Sequence, residues 1–234
     1  MITEEQLLDI FAAYNPQIWP LQIVAYLLGI ASVYLAVRKT AISERGIPAI
    51  LAFFWLWVGL FFWLPSLLQG FVPGYLFTAL FLIQGGLFLF YSLKPKLTFV
   101  LQNDVYAWAG IIIVLYALVG YPLVGSLVGH VYPRMSPFGL TPCPVVTFTF
   151  GLLLLAGRKV PKFALVIPLL FALSGLLWVS IGMGEDIGMV ASGLLGTVLI
   201  WYRDSKLQLD QPVKVSARHS GGWSLDLPDK RSTP

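Results

Sequence analysis

The sequence predicts an all-α polytopic membrane protein: a bundle of seven transmembrane helices preceded by a short amphipathic interfacial helix. Of its 234 residues, 58% are hydrophobic and 11% are charged, whereas soluble domains carry about 25% charged residues. Apolar runs recur along the chain at or near the roughly 20 helical residues needed to cross a bilayer core of about 30 Å. Nearly all charged residues lie between these runs or in the C-terminal tail.

Each segment follows from this pattern. Residues 1–17 place apolar side chains on one side and acids on the other, so this segment is predicted to lie along the membrane interface. Residues 18–203 form the transmembrane domain, with helices expected at about 19–37, 47–68, 73–93, 106–129, 142–157, 163–182 and 187–203. Residues 204–234 are polar and contain Pro, Gly and Ser, which predicts a disordered cytoplasmic tail.

The basic residues fix the predicted orientation. If seven helices alternate, 14 of the 15 Lys and Arg residues fall on one side, and only Arg134 falls on the other. Cytoplasmic loops are enriched in Lys and Arg, so we expect the N-terminus outside and the C-terminus in the cytoplasm. The same distribution explains the net charge of +4 without a nucleic-acid partner; the expected surroundings are the lipid bilayer.

Polar and small residues inside the predicted helices have two interpretations. Gln84, near the middle of the third helix, and Gln22, nearer the outer end of the first, could form interhelical hydrogen bonds or contact a ligand. Gly188, Ser192 and Gly196 recur every four residues in the seventh helix. Such a stripe lets another backbone approach closely, within the bundle, in a homo-oligomer or in a membrane-protein partner.

Several membrane chemistries lack the residues they need. The seventh helix has no lysine for a retinal Schiff base, and two histidines in the chain are too few for a seven-helix zinc hydrolase or a buried bis-histidine haem. A single cysteine excludes an internal disulfide and a CxxC motif. The acids of GMGEDIG lie in a predicted loop with no facing acid in another helix. We therefore expect no enzymatic activity and no cofactor.

The predicted outer loops carry most of the candidate functional residues. Glu185 and Asp186 either begin the seventh helix in an exposed turn, where acids favour the helix dipole, or form a functional acidic pair. Soft-metal ligand types also occur on this side, but their scattered positions define no metal site; they are Cys143, His130, Met135 and Met183.

The stretch FGLTPCPVVTFTFG begins the fifth predicted helix. Thr141 fits the N-cap and Pro142 the first helical position, and Cys143 and Thr147 then share one helix face. The run 142–157 would be only about 24 Å long. Either the helix continues through Lys159, or the preceding segment enters the membrane under cover of protein or water. Cys143 is then either a reactive thiol or a small buried side chain.

Three motifs carry a resemblance to a known family. In order, they are YNPQIWPLQ, FGLTPCPVVTFTFGLLLL and GMGEDIGMVASGLLG. They resemble a family of bacterial multi-pass membrane proteins catalogued only as a domain of unknown function, over about residues 10–203. The resemblance implies a location in the bacterial inner membrane, and it implies no activity and no catalytic residue.

The leading functional hypothesis is a non-enzymatic protein that binds a small solute or ion, or transports it passively or secondarily, through a site open to the outer face. The starts of helices one, five and seven would line this site, with ligand contacts from Gln22, Gln84, Cys143, Thr147, Glu185 and Asp186. The alternative is a non-catalytic accessory or assembly subunit of a membrane complex. A third possibility is a soft-metal-handling protein or an enzyme that uses Cys143.

Overall fold

The computed structural model describes residues 3–38, 40–65 and 73–209, and these residues form eight helices. In chain order, α1 to α8 are Glu4–Gln17, Trp19–Arg38, Ala41–Trp63, Gly74–Leu93, Val105–Leu127, Pro142–Leu154, Phe163–Ser180 and Asp186–Leu209. Two of them contain π-helical turns, Val58–Trp63 in α3 and Tyr116–Gly120 in α5.

Five of the described helices, α2, α3, α4, α5 and α7, are long and apolar enough to cross a membrane. Large apolar side chains on their outward faces, such as Leu27, Ile83 and Ile112, are exposed. Apolar exposure of this extent indicates a membrane location. The predicted count of seven spans is not confirmed, because α6 has only 13 residues and α8 carries charged residues near both ends.

α6 forms the centre of the bundle. Every one of its residues is buried, and the buried stretch continues without a break from residue 136 to residue 156. Helix α6 ends at Leu154, so it does not continue through Lys159. The preceding non-helical segment, which contains Pro137 and Gly139, is covered by protein, as the second expectation required; its entry into the membrane stays a prediction.

Small residues bring the neighbouring helices close to α6, which packs against α3, α5, α7 and α8. A Cβ added to Gly151 of α6 would lie 2.9 Å from the backbone nitrogen of Val114 in α5, so only glycine fits there. On α8, the stripe Gly188, Ser192 and Gly196 faces inward, with Gly188 against the Tyr116 ring and Gly196 against Phe150. The stripe thus serves packing within the chain; its use by a homo-oligomer or a membrane-protein partner stays a prediction.

The carboxyl end of α6 is closed by a buried cation. Arg203 of α8 donates from Nη1 to the carbonyl oxygens of Leu154 at 2.9 Å and Leu153 at 3.3 Å, and it pairs with Asp204 at 2.9 Å. A positive charge at a helix C-terminus offsets the partial negative charge of the unpaired carbonyls. Helix α8 ends at Leu209, and residues 210–234 of the predicted tail lie outside the described residues.

Helix α1 packs onto the end of the bundle where α6 begins. Thr3 and Gln6 form a capping box at its start. Its buried side includes Leu7 and Phe11, and the Phe11 ring stacks on Phe62 of α3 with centroids 5.7 Å apart. The apolar side of the predicted amphipathic segment is therefore used against protein; its position at the membrane interface stays a prediction.

Candidate functional site

The helix ends and loops that the sequence assigned to the outer side meet at one end of the bundle. They are the start of α1, the end of α3, the loop between α5 and α6, the start of α6 and the loop between α7 and α8. Within this region, a buried cluster of ionisable side chains comprises Glu185, His130, Asp186, Tyr121 and Cys143. We call these five residues, together with Glu4, the acidic cluster.

A chain of contacts links the surface to a buried carboxylate. The Glu185 side chain is 1% exposed, and its oxygens lie 2.9 and 3.1 Å from Nδ1 of His130. The other ring nitrogen of His130, Nε2, lies 3.1 Å from Oε1 of Glu4, whose side chain is 41% exposed. The imidazole thus bridges one carboxylate in the interior and one that reaches solvent.

The hydrogen bonds of His130 to two carboxylates depend on how many protons the imidazole carries. A neutral imidazole carries one N–H, so it can donate to one carboxylate and would turn a lone pair towards the other. With both carboxylates ionised, two hydrogen bonds require the imidazolium form. Burial alone would lower the pKa of His130, but the hydrogen bonds to Glu185 and Glu4 and their negative charges outweigh it and raise this pKa.

Asp186 occupies the second half of the cluster. It is the first residue of α8, it is 1% exposed, and it lies next to Glu185 in the chain. The Tyr121 hydroxyl donates to one carboxylate oxygen, and the Cys143 thiol lies 3.5 Å from the other. Burial raises the pKa of Asp186 to about 7, although the two hydrogen bonds oppose the shift.

A cavity of about 10 Å³ adjoins Asp186 and Cys143, which is room for about one water molecule. Leu7 and Phe11 of α1 form part of its wall, and Trp178 of α7 forms another part. The Trp178 Nε1 donor is buried without a hydrogen-bond partner among the described residues. A second, larger groove of about 370 Å³ lies between α1 and the end of α3.

The structure brings together some of the residues that the sequence singled out. Cys143, Glu185 and Asp186 lie in the cluster, and Thr147 lies one turn deeper in α6, donating to the carbonyl of Cys143 at 2.9 Å. Glu185 lies in a short turn as expected, but both acids are buried and not exposed. Asp186 also begins α8, as the helix-start interpretation required.

The two glutamines lie outside the cluster. Gln84 is buried in α4 and donates to the carbonyl of Ala164 at 3.3 Å, while its Oε1 has no partner among the described residues. Gln22 donates to Asn15, at 3.3 Å to Oδ1 and 3.4 Å to the carbonyl. Both amides therefore make the packing hydrogen bonds that the sequence allowed as one of two interpretations.

The soft-metal candidates have other roles in this structure. Met183 lines the small cavity together with Cys143, while Met135 contributes its backbone carbonyl to a hydrogen bond from Asn15. His130 is engaged by two carboxylates. Over residues 3–38, 40–65 and 73–209, no group of three or more His, Cys, Asp or Glu side chains is arranged to hold a metal ion.

The first motif, YNPQIWPLQ, shapes the loop that supplies His130. The buried Asn15 amide donates to the carbonyls of Pro133 at 2.6 Å and Met135 at 2.7 Å, and the Tyr14 hydroxyl donates to the carbonyl of Leu140 at 2.9 Å. These bonds satisfy backbone groups in an irregular segment that would otherwise lose solvent partners. All three motifs of the resemblance thus contribute to the same end of the molecule.

Sequence reasoning missed Glu4, Tyr121 and Tyr116 as parts of this site. The Tyr116 hydroxyl donates to the backbone carbonyl of Glu185 at 2.7 Å. Both tyrosines lie in an apolar helix around a π-helical turn. Their hydroxyls need hydrogen-bond partners in such a helix, and this need was the available signal. Glu4 gave no signal, because only the fold brings the start of the chain to His130.

The fold and the site define a helical membrane protein with an ionisable cluster buried at one end of its bundle. The chain belongs to DUF6064, a family of unknown function, whose model matches residues 4–211. This match confirms the resemblance to a family catalogued as a domain of unknown function and extends it at both ends. No curated protein and no solved structure matches the chain significantly.

Proposed function

We propose that this protein takes up a proton at the buried Asp186, beside Glu185, and couples this protonation to the binding or secondary transport of a small solute or ion. The observation that carries the proposal is the continuous path from the partly exposed Glu4 through His130 to buried Glu185, beside an equally buried Asp186. Its setting is a bacterial inner membrane, with the N-terminus outside and the C-terminus in the cytoplasm.

The cost of burying these groups supports a functional role. A carboxylate removed from water loses several kcal/mol of solvation, which is recovered only through good hydrogen bonds or by taking up a proton. Glu185 has His130 as its partner, whereas the side-chain partners of Asp186 are a neutral hydroxyl and a neutral thiol. Acids retained in such surroundings in membrane proteins typically belong to ion or proton pathways.

The basic residues support an outward-facing site. The end of the bundle that carries the cluster is the end that holds only Arg134 in the predicted topology. A proton arriving from outside would meet Glu4 first, then His130, then Glu185. The sequence has no ATP-binding motif, so an ion gradient is the energy source that fits this arrangement.

Infrared spectroscopy of the purified protein tests the proposal without knowledge of the solute. The carboxylic acid C=O band of a buried acid should appear as the pH is lowered through about 7, the value to which burial raises the pKa of Asp186. Asp186→Asn should remove this band, and Glu5→Gln, an exposed acid of α1, should leave it unchanged. The proposal would be overturned if the wild type showed no titrating carboxylic acid band, or if its band persisted in Asp186→Asn.

A further inference from the structure

Helix α1 covers the cavity beside Asp186. Leu7 and Phe11 of α1 line this cavity together with Cys143 and Asp186. The two parts of α1 are held differently. Its C-terminal part is fixed by uncharged hydrogen bonds from Asn15 and Tyr14 to the α5–α6 loop and the segment before α6.

The N-terminal part of α1 is held by charges as well as by apolar contact. Glu4 contacts His130, and Asp9 pairs with Arg134 where both side chains are largely exposed. An exposed pair of that kind adds little stability. His130 is buried, so the contact between Glu4 and His130 is the polar attachment of α1 that depends on a proton.

The groups around His130 decide what happens when it loses a proton. Glu4 faces it from α1 and Glu185 from the α7–α8 loop; Asp186 lies beside Glu185, and the Arg134–Asp9 pair lies further out. A neutral imidazole keeps one N–H. The buried Glu185 carboxylate has no access to water, so the N–H stays with it, and the half-exposed Glu4 carboxylate turns to solvent.

We infer that the N-terminal part of α1 is a lid on the acidic cluster, closed while His130 donates to both Glu4 and Glu185 and released when His130 becomes neutral. The lid regulates access to the site assigned under the proposed function, and in that respect the inference rests on the proposed function. Acid outside the cell would close the pocket, and rising pH would open it.

The reactivity of Cys143 reports the lid, because this thiol lines the covered cavity and is the only one in the chain. The alkylation rate with a charged, membrane-impermeant maleimide would be measured on the full-length protein in nanodiscs from pH about 5.5 to 8.5. The rate for Glu4→Ala is divided by the wild-type rate at each pH. Thiol ionisation affects both proteins alike, so the ratio isolates the lid.

We expect the Glu4→Ala rate to be about five times the wild-type rate at the acid end, because the variant lacks one partly exposed ion pair. The ratio of the two rates should approach one as the pH rises. The matched variant Glu5→Ala removes a neighbouring exposed acid from the same first turn and should give a ratio of one throughout. Glu4 is not a core side chain, so its removal should leave the fold intact.

Three results would overturn the lid: a ratio of one at the acid end, a raised ratio that does not change with pH, or no alkylation of either protein before denaturation. The infrared titration of Asp186 does not depend on α1 movement. If the alkylation results contradict the lid but the Asp186 band titrates, the proposed function stands. If the alkylation results support the lid but no Asp186 band titrates, only the proposed function is overturned.

Discussion

Removing the Tyr121 hydroxyl should make Asp186 a weaker acid. This hydroxyl donates to the Asp186 carboxylate and holds its pKa down against the effect of burial. Tyr121→Phe keeps the ring, which lies in the fully buried core, so the burial of Asp186 should hardly change. The ionised carboxylate loses one of its two neutral donors and keeps only the Cys143 thiol at 3.5 Å.

The size of the effect follows from the type of bond. A hydrogen bond to a charged group contributes about 1.5–3 kcal/mol, and 1.36 kcal/mol corresponds to one pKa unit. The pKa of Asp186, about 7 in the wild type, should therefore rise by about 1–2 units in Tyr121→Phe. Infrared titration of the carboxylic acid band measures this directly.

Tyr116→Phe is the matched control. Its hydroxyl donates at 2.7 Å to the backbone carbonyl of Glu185 and not to a carboxylate, so its removal should shift the Asp186 titration much less. Equal shifts in the two variants, or a downward shift in Tyr121→Phe, would refute the assignment of this hydrogen bond as the one that tunes Asp186.

The same titration determines how stability depends on pH. The folded protein holds the Asp186 proton more tightly than the unfolded chain, because burial raises the pKa from 3.8 to about 7. The stabilisation from this group is therefore present at low pH and is lost as the pH rises from about 4 to about 7. In Tyr121→Phe this loss should extend to higher pH, and in Asp186→Asn it should disappear.

Two further predictions concern α6 and are checked by equilibrium unfolding in mixed micelles. Thr149→Val should lower the free energy of unfolding by about 1–2 kcal/mol, because the buried Trp55 Nε1 loses its acceptor at 2.9 Å. Thr147→Val removes no acceptor from a tryptophan and should lower the free energy of unfolding less. Equal losses in the two variants would contradict the prediction. Arg203→Met should cost about 2–4 kcal/mol by uncovering the last carbonyls of α6. Exposed Lys206→Met should be nearly neutral, and similar values for both would refute the capping role.

The helices that face lipid could be predicted from the sequence because hydrophobicity and length determine them directly. The predicted and observed limits of α2 and α4 agree within one residue, 19–37 against Trp19–Arg38 and 73–93 against Gly74–Leu93. The prediction was less successful for α3, which begins at Ala41 and not at residue 47, and for α8, which ends at Leu209 and not at residue 203. α6 begins at residue 142 as predicted but ends three residues before residue 157, since a helix covered on all sides by protein need not span the bilayer. Hydropathy alone does not distinguish such a helix from one that crosses the membrane.

The site could be predicted only in part. The Pro-Cys-Pro and Glu-Asp segments could be predicted as candidate site segments because polar or unusual residues interrupt apolar runs there. Both segments contribute to the cluster, through Cys143, Glu185 and Asp186. Glu4 and Tyr121 could not be assigned in the same way. Glu4 is 126 residues from its partner His130, and Tyr121 is 65 residues from Asp186, and no local pattern encodes such pairings.

The short length of α6 explains why the cluster is buried. Thirteen residues span about 20 Å, roughly 10 Å less than the hydrocarbon core. Other segments of the chain cover both ends of this short helix: Arg203 and the antiparallel contact of Phe99 with Ala156 at one end, and the irregular loop and α1 at the other. The start of α6 consequently lies beneath other protein, and so does Asp186, which contacts Cys143 there. The recessed helix start, the buried acids and the covering helix are therefore three consequences of one short central helix.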